Sequence, residues 1–321
     1  MMRKNIRITA TVIIIIASLY IIYTLYDEYK AIRLSDTLAQ TYTQLTSAET
    51  IDAVPDTTIV PEKDIYYTII SDGTTASENS QNEITQKPIQ TDTSDEKPVI
   101  DYQPVISQAM MTFYEQNPDT AGWLTINNTK INNIVVQTTD NDFYLDHNFE
   151  GDKSQPGTLF VDYRCNLNDY DYEQSKNIII YGHKQRSGSM FGTLHNYHDN
   201  LEFYKQNPTF EFSNLYETYT YKVLAMFVCR TTGDDVFDYH NYVSLPETGD
   251  YCFYKWLLNI RDRSEIETPV SAEINDHYLT LSTCSYEEPD CRFVVIARRV
   301  RPDESSEVNV EDAYSRCVTI R

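Results

Sequence analysis

The sequence predicts a mainly β fold, a closed or nearly closed β-barrel, and two observations support that prediction. From residue 122 onward, short apolar and β-branched runs recur between turn-forming residues, which is the pattern of short strands. Between residues 102 and 302, only two stretches have apolar residues at helical spacing. Many short strands with few helices are typical of barrels, in which closure removes the unpaired sheet edges.

Strands are predicted where β-branched and aromatic residues concentrate, and two amphipathic helices lie among them. The first helix precedes the first strand and ends at the NPD sequence of residues 117–119. Its apolar stripe consists of Ile106, Met110, Phe113 and Tyr114. The second helix is expected over residues 251–261, with Phe253, Trp256, Leu257 and Ile260 at helical spacing. The predicted strands are residues 122–126, 131–137, 157–163, 177–181, 210–212, 219–229, 278–284 and 292–297.

An apolar segment near the N-terminus predicts a membrane anchor. Residues 8–26 form a run of 19 residues without a charge, long enough as a helix to cross the ~30 Å hydrocarbon core. Basic residues within 3–7 precede the run, and Asp27 and Glu28 follow it, which places the N-terminus in the cytoplasm and the rest outside. A cleaved signal peptide is the alternative, but the run is long for one and no small-residue cleavage site follows. We therefore expect residues 1–30 to be a cytoplasmic tip and transmembrane anchor.

Composition divides the remainder of the chain into a spacer, a folded domain and a tail. Residues 31–101 are expected to form a juxtamembrane segment, with a possible short helix, and then a spacer. From residue 46 to 100 there are 11 acidic residues against three lysines, too polar a segment to offset the entropy of ordering. We predict a disordered spacer that holds the domain away from the membrane, a partly ordered decoration being the alternative. The folded domain is expected over residues 102–302, followed by an acidic tail over 303–321.

The charge balance limits the partners that the protein can have. The formal net charge is −22 and the sequence pI is near 4.5. Nucleic acid is therefore disfavoured, because phosphate binding needs a basic face. Neither a Gly-rich phosphate loop nor a His/Cys spacing typical of zinc is present in the sequence, so no cofactor and no metal are predicted.

A thiol and a guanidinium lie where two predicted neighbouring strands meet a loop. The run YLTLSTC at residues 278–284 ends in Cys284, and RFVVIA at 292–297 begins with Arg292. A structural cysteine more often lies inside a strand among apolar neighbours, because free Cys behaves as a small hydrophobe. The position of Cys284 at a strand end favours a nucleophile, although strand-end cysteines without a chemical role are common.

The segment TLSTC at residues 280–284 resembles the TLxTC signature of sortases, the cysteine transpeptidases of Gram-positive cell surfaces. LTLSTC followed by RFVV resembles class B in particular, as do the helix before the first strand and the helix before the cysteine strand. The resemblance covers roughly residues 102–301. It implies a sortase-type closed barrel in which Cys284 is the nucleophile.

His183 is the histidine that the resemblance selects among six. The thiol needs a basic partner, since its ordinary pKa of about 8.5 leaves it mostly protonated at neutral pH. IIYGH at 179–183 resembles the sortase segment with the catalytic histidine, and MFGTL at 190–194 resembles its class B continuation. By position alone, His183 is a strand-end loop histidine. His195 and His198 are expected to be surface or helix-capping residues, and His277 is separated from Cys284 by ~23 Å of strand.

Arg292 matches the arginine that opens the strand after the cysteine loop in the family. Acyl transfer develops negative charge on the carbonyl oxygen, and a guanidinium supplies fixed donors to it. A surface ion pair with a neighbouring acidic residue is the alternative for Arg292. Ser282 and Thr283 are expected to line the substrate groove. Arg298, Arg299 and Arg301, at the other end of the strand, are expected to be surface charges.

The resemblance implies a membrane-anchored enzyme that faces the cell wall. It would cleave the C-terminal sorting motif of secreted proteins at a Thr carbonyl through a Cys284 thioester. It would then transfer the acyl group to an amine of a peptidoglycan precursor. A pilin lysine as the acceptor, a cysteine hydrolase in which water resolves the thioester, and a non-catalytic binding module remain alternatives.

Two further features of the sequence bear on the chemistry. LPETG at residues 245–249 reproduces a sorting motif inside the domain, although true substrates have it near the C-terminus. We interpret it as a coincidence, with self-recognition as the alternative. Cys291 lies beside Arg292 and is a potential chemical competitor of Cys284. Disulfide pairs cannot be assigned from sequence among Cys165, Cys229, Cys252, Cys291 and Cys317.

Overall fold

The computed structural model describes residues 2–52, 105–167, 174–232, 237, 250–284 and 290–318. The described residues of the first helix and those from 106 onward belong to one compact unit. The predicted acidic spacer from residue 53 to 101 and the LPETG sequence at 245–249 lie outside the described residues.

Eight strands form a closed barrel, so the predicted mainly β barrel is confirmed. The strands of the barrel are β1 (Thr120–Thr125), β2 (Asn132–Val136), β3 (Leu159–Val161), β4 (Asn177–Tyr181), β5 (Thr209–Ser213), β6 (Thr218–Arg230), β8 (Tyr278–Cys284) and β9 (Cys291–Arg299). Their order around the barrel is β1-β2-β3-β4-β8-β9-β6-β5, and β5 closes it by pairing with β1. The pairs β2–β3 and β4–β8 are parallel, and the other neighbours are antiparallel.

Within the described residues, four α-helices accompany the barrel. They are α1 (Met2–Asp52), α2 (Gln108–Tyr114), α3 (Leu201–Gln206) and α4 (Asp250–Arg263). The predicted stripe of α2 buries Met110 and Phe113, while Tyr114 at its end is exposed. The predicted stripe of α4 buries Phe253, Trp256 and Ile260 completely. Both helices therefore lie where apolar periodicity predicted them, and α4 is in the connection between β6 and β8.

Strand β9 shows why its sequence is continuously apolar. Phe293, Val295 and Ala297 belong to the apolar cluster that fills the barrel. Val294 and Ile296 point to the other face, into the cluster beneath α4. A strand covered on both faces needs apolar residues at every position, so the usual alternation is lost.

Helix α1 is long and apolar enough at its N-terminal end to cross a membrane. It continues without a break to Asp52, seven residues into the segment that composition assigned to the spacer. Beyond the apolar run, its side chains lie against the barrel, where Leu38 is buried with Phe113 and Trp123. This packing was not predicted, because the juxtamembrane residues do not form a strongly apolar stripe.

The C-terminal segment also packs on the barrel. A short strand β10 (Tyr314–Ser315) pairs with β7 (Ile266–Glu267), and Ala313 is buried. Arg298, predicted to be a surface charge, is completely buried and forms ion pairs with Glu304 and with Asp276. The prediction for Arg298 was wrong because its charge is neutralised by Glu304, in the segment after β9, and by Asp276, just before β8, which allows burial.

Replacing Glu304 with glutamine is expected to lower the free energy of unfolding by about 2–3 kcal/mol at neutral pH. The Glu304 carboxylate accepts hydrogen bonds from Arg298 and from Lys222, both nearly or fully buried. These bonds lower the pKa of Glu304 from 4.5 to about 2. Its stabilisation is thus complete above pH 4.5 and is lost as the pH falls towards 2. Urea unfolding at pH 7 and pH 3 checks this, and an equal loss at both values would contradict it.

Candidate active site

Three adjacent strands end at one rim of the barrel and place the predicted site residues there. Strand β8 pairs in parallel with β4, with Tyr181 opposite Ser282, and it pairs antiparallel with β9, with Cys284 opposite Arg292. Continuing the parallel register by two residues brings His183 alongside Cys284. The rim of β4, β8 and β9 therefore brings together all three predicted residues, which are far apart in the chain.

The strand alternation also assigns these positions to one face of the sheet. Tyr181 and Ser282 are opposite one another, so they share a face, and the position two residues further on lies on the same face. Position 284 is paired with Arg292 and shares its face. The side chain of Cys284 is outside the described atoms, so its placement follows from the backbone register alone.

His183 follows β4 after a single glycine and is partly exposed. Its Nε2 lies 2.8 Å from the carbonyl oxygen of Leu145, in the connection between β2 and β3. A carbonyl oxygen can only accept, so in this hydrogen bond Nε2 bears the proton and donates it. The backbone of a neighbouring loop thereby orients the imidazole ring.

Gly182 is required by a close approach of side chains. A Cβ atom at this position would lie 2.3 Å from Cδ2 of Leu159 and 2.8 Å from Cδ2 of Phe191. Both neighbours are buried, so they have little room to move. Glycine is therefore the residue that lets β4 end at the rim with His183 directly after it.

The substitution Gly182→Ala is expected to destabilise the protein by about 1–3 kcal/mol through overpacking. It is also expected to lower activity, because Leu159 or the backbone before His183 must shift. Thermal unfolding and peptide turnover of the full chain check both effects. Equal turnover in Gly182→Ala and wild type would contradict the expectation.

Ser282 and Thr283 line the groove at this rim, and their contact with a substrate stays a prediction. Both are almost fully buried. The Ser282 carbonyl accepts a hydrogen bond from the Gly182 backbone N–H, at 3.2 Å, so β8 and the His183 segment are joined beside the site. The Thr283 hydroxyl has no hydrogen-bond partner within the described part of the chain.

Arg292 is half-buried at the start of β9 and borders the same groove. Its Nη1 is 3.3 Å from the carbonyl oxygen of Cys291. None of the ion pairs among the described residues includes Arg292. Glu287 and Glu288, two acidic residues of the loop before it, lie outside the described residues. The guanidinium is thus held at the groove wall by its own backbone.

Sequence reasoning missed a charged pair in the wall of this groove. Besides the predicted residues, the groove is lined by Asn141, Leu145, Phe160, Arg164, Tyr181 and Gly182. Asp162 lies completely buried behind Arg164, which donates to both of its oxygens through Nε and Nη2 at 2.9 and 2.8 Å. The Tyr181 hydroxyl donates to the same carboxylate at 2.8 Å. The signal that was available is the sequence DYR directly after a buried strand.

The charge on Asp162 is maintained by these donors. Burial alone would raise the pKa of Asp162, but the hydrogen bonds from Arg164 and Tyr181 outweigh it and keep the pKa below its usual range. The anion in turn raises the pKa of Arg164. The pair therefore stays ionised. It fixes the guanidinium of Arg164 in the groove wall, in addition to the guanidinium of Arg292.

Cys291 does not compete with Cys284 for the groove. It is 1% exposed and belongs to the apolar cluster inside the barrel. The interpretation of Cys291 as a chemical competitor was therefore wrong. Alternation along β9 turns the Cys291 side chain away from the face on which Arg292 lies. Cys165 and Cys229 are also buried, and burial raises the pKa of each thiol to about 12. Cys165, Cys229, Cys252 and Cys317 are free thiols.

The other histidines that were weighed lie elsewhere. His198 contacts Glu265 through Nδ1 at 2.9 Å, and the His195 ring packs on Phe293. His277 is buried at the start of β8, at the end of the strand opposite to Cys284. Within the described ranges, no group of three or more His, Cys, Asp or Glu residues is placed to hold a metal ion.

Comparison with known proteins relates this geometry to a family. The sequence profile of the sortase domain matches residues 124–300, more than half of the chain. The chain is 37% identical over 172 residues to sortase B of Listeria monocytogenes, covering 54% of this chain and 65% of the relative. It is 30% identical over 187 residues to sortase B of Staphylococcus aureus, covering 58% and 72%. The chain thus spans slightly less than two thirds of the length of the Listeria relative.

A solved structure agrees with these matches. The S. aureus sortase B–substrate complex superposes with a TM-score of 0.54 at 27% identity, covering 62% of this chain and 87% of the other. The profile match over residues 124–300 runs from the end of β1 to the end of β9 and includes the other seven barrel strands completely. The chain therefore belongs to the sortase family, and within it to class B.

Proposed function

We propose that this protein is a membrane-anchored transpeptidase that joins secreted proteins to an amine acceptor of the cell wall. The observation on which the proposal rests is the convergence of His183, Cys284 and Arg292 at one rim of three adjacent strands. The relatives named sortase B support the reaction class, and one of them has been solved with a substrate.

The proposed reaction divides one acyl transfer into two steps. The Cys284 thiolate attacks the carbonyl carbon of a threonine in the sorting motif, and Arg292 donates hydrogen bonds to the oxyanion. His183 gives a proton to the leaving amine, the C–N bond breaks, and a thioester remains. An incoming amine then attacks the thioester while His183 takes up its proton, and the thiolate leaves as the new amide forms.

The acceptor in this proposal is an amine of a peptidoglycan precursor. A pilin lysine or water would use the same thioester, so these alternatives differ only in the second step. Ser282 and Thr283 are proposed to contact the sorting motif on the groove floor. No cofactor takes part in the scheme, because each proton transfer has a side chain of this chain to perform it.

The proposed location is the cell membrane, with the N-terminus in the cytoplasm and the barrel outside. The support is the apolar N-terminal part of α1 and the basic residues before it. Cys317 is exposed on the barrel side. A membrane-impermeant maleimide should therefore label the wild-type protein in intact cells and label a Cys317→Ala variant less. Labelling of the wild-type protein after lysis but not in intact cells would contradict the orientation.

The reaction is tested with the full chain in detergent micelles. A library of peptides with a threonyl scissile bond is incubated with the protein, with and without an oligoglycine or lysine acceptor. A new peptide–acceptor amide supports the transpeptidase, and the acceptor used identifies its class. Release of the free acid alone favours the hydrolase, whereas a bound peptide that is never cleaved favours a binding module.

A further inference from the structure

The part of α1 that follows the apolar run lies against the barrel along one helical face. Residues 27–45 are here called the stem. Asp27, Ala31 and Leu38 are buried, each 8% exposed. The Tyr42 ring stacks on Trp123 with centroids 4.3 Å apart and planes 7° from parallel. Successive spacings of four, seven and four residues place these side chains on one side of the helix, so the stem has a defined docking face.

The stem contacts residues 143–158, the larger part of the connection between β2 and β3, here called the loop. The Asp27 carboxylate accepts a hydrogen bond from the backbone N–H of Gln155 at 2.7 Å. Leu38 belongs to the same buried cluster as Phe149 of this loop. The Asp27 carboxylate is itself buried, so this charge-assisted hydrogen bond supplies a donor that a buried anion needs. The stem therefore holds the loop by one charged hydrogen bond and by apolar packing.

The other side of the same loop contacts His183. The Leu145 carbonyl oxygen is 2.8 Å from Nε2 of the imidazole. The two sides are tied within the loop, because the Thr158 N–H donates to the Tyr144 carbonyl at 3.0 Å. At Gly157, whose φ is +65°, a Cβ would lie 2.6 Å from the Leu145 oxygen. The returning backbone thus packs directly on the carbonyl that orients the histidine.

We infer that the stem is a positioning element of the active site, and that Asp27 aligns His183 through this loop. The inference rests on the proposed function of His183 and extends it to the membrane anchor. Asp27 directly follows the apolar run of residues 8–26, so the membrane helix and the loop beside the histidine are joined without a flexible link. Asp27 and Tyr42 are positioning residues, since neither lines the groove.

Proton transfer depends on the orientation of the imidazole, and a misplacement of about 1 Å can cost up to about 10²-fold in rate. Loops without external contacts are mobile. Without the stem, the Leu145 carbonyl would sample several positions and His183 would be aligned for a smaller part of the time. Peptide binding in the groove would change little, because the stem does not line it.

The kinetic test compares full-chain variants in detergent micelles with an active peptide substrate. Asp27→Ala and Tyr42→Ala are expected to lower kcat about 10-fold with KM unchanged within about twofold. Asp27→Asn keeps an oxygen that accepts from Gln155 and is expected to retain most of the activity. Asp36→Ala removes an exposed carboxylate from the same helix and serves as the matched control. An unchanged kcat in both Asp27→Ala and Tyr42→Ala overturns the inference.

Hydrogen–deuterium exchange of the same variants tests the positioning independently of activity. Asp27→Ala and Tyr42→Ala are expected to speed exchange in peptides covering residues 143–158, with the strands β6 and β9 unchanged. Faster exchange throughout the barrel would show general unfolding and would overturn the specific role of the stem. If wild type cleaves no peptide yet the loop exchanges faster in the variants, the proposed function fails while the contact between stem and loop stands. Unchanged exchange in the loop overturns the inference whatever the activity.

Discussion

Replacing Cys284 with alanine is expected to lower peptide turnover by at least about 10⁴-fold, because no other group can form the thioester. The double variant Cys284→Ala/His183→Ala is expected to turn over peptide as slowly as Cys284→Ala alone, since the two residues act as a unit. Intact-mass spectrometry should show a peptide acyl adduct on wild type, at low acceptor concentration, and none on Cys284→Ala.

Other thiols of the chain provide the controls for this prediction. Cys317→Ala removes an exposed thiol and should keep both the adduct and the turnover. Cys291→Ala removes the thiol next to Arg292, which is buried in the barrel, and should also keep the adduct. An adduct that persists in Cys284→Ala and disappears in Cys291→Ala would identify Cys291, on β9, as the nucleophile. That result would contradict the proposed mechanism.

Replacing Arg292 with lysine is expected to lower kcat about 10²–10³-fold, the effect of losing one oxyanion donor. Lysine keeps the charge but not the planar fork of donors, so a conservative change at this position is not neutral. Arg292→Gln is expected to lower kcat further than Arg292→Lys does, since it removes the positive charge as well. Single-turnover acylation, followed by release of the leaving peptide, reports the step at which the oxyanion first forms.

An arginine on the same strand is the matched control for Arg292. Arg299 lies at the opposite end of β9, where its guanidinium packs over the Tyr219 ring. Arg299→Lys is expected to change kcat by less than about twofold, because the opposite rim takes no part in the chemistry. If Arg292→Lys acylates as fast as wild type, Arg292 acts only on binding or on structure, and another donor must hold the oxyanion.

Local patterns in the chain were sufficient to predict most of the architecture. The stripes of α2 and α4 and the apolar run of β4 depend on residues that are close in sequence, so periodicity reveals them. The same holds for Cys284 and Arg292, which lie at the two ends of one loop between paired strands. His183 needed the family resemblance, because a strand-end histidine by itself has no pattern that separates it from a loop residue.

Other features depend on which distant segments become neighbours. Arg298 was expected at the surface, and its burial requires carboxylates contributed by Glu304 and Asp276. Cys291 was considered as a competitor of Cys284, and only the face that it takes on β9 turns it inward. Asp162 was not selected at all, since its role behind Arg164 arises from a groove that exists only in the folded barrel.

The sequence by itself determined the class of fold and the apolar N-terminal helix, and it predicted Cys284 and Arg292 as candidate site residues. Each of these is encoded by residue type and spacing over a short stretch. Only the tertiary structure decided that the ends of the strands with Cys284, Arg292 and His183 share one rim, and that the stem after the apolar run packs on the loop beside His183. Strand order and docking are set by the burial of surfaces far apart in the chain, which no local spacing records.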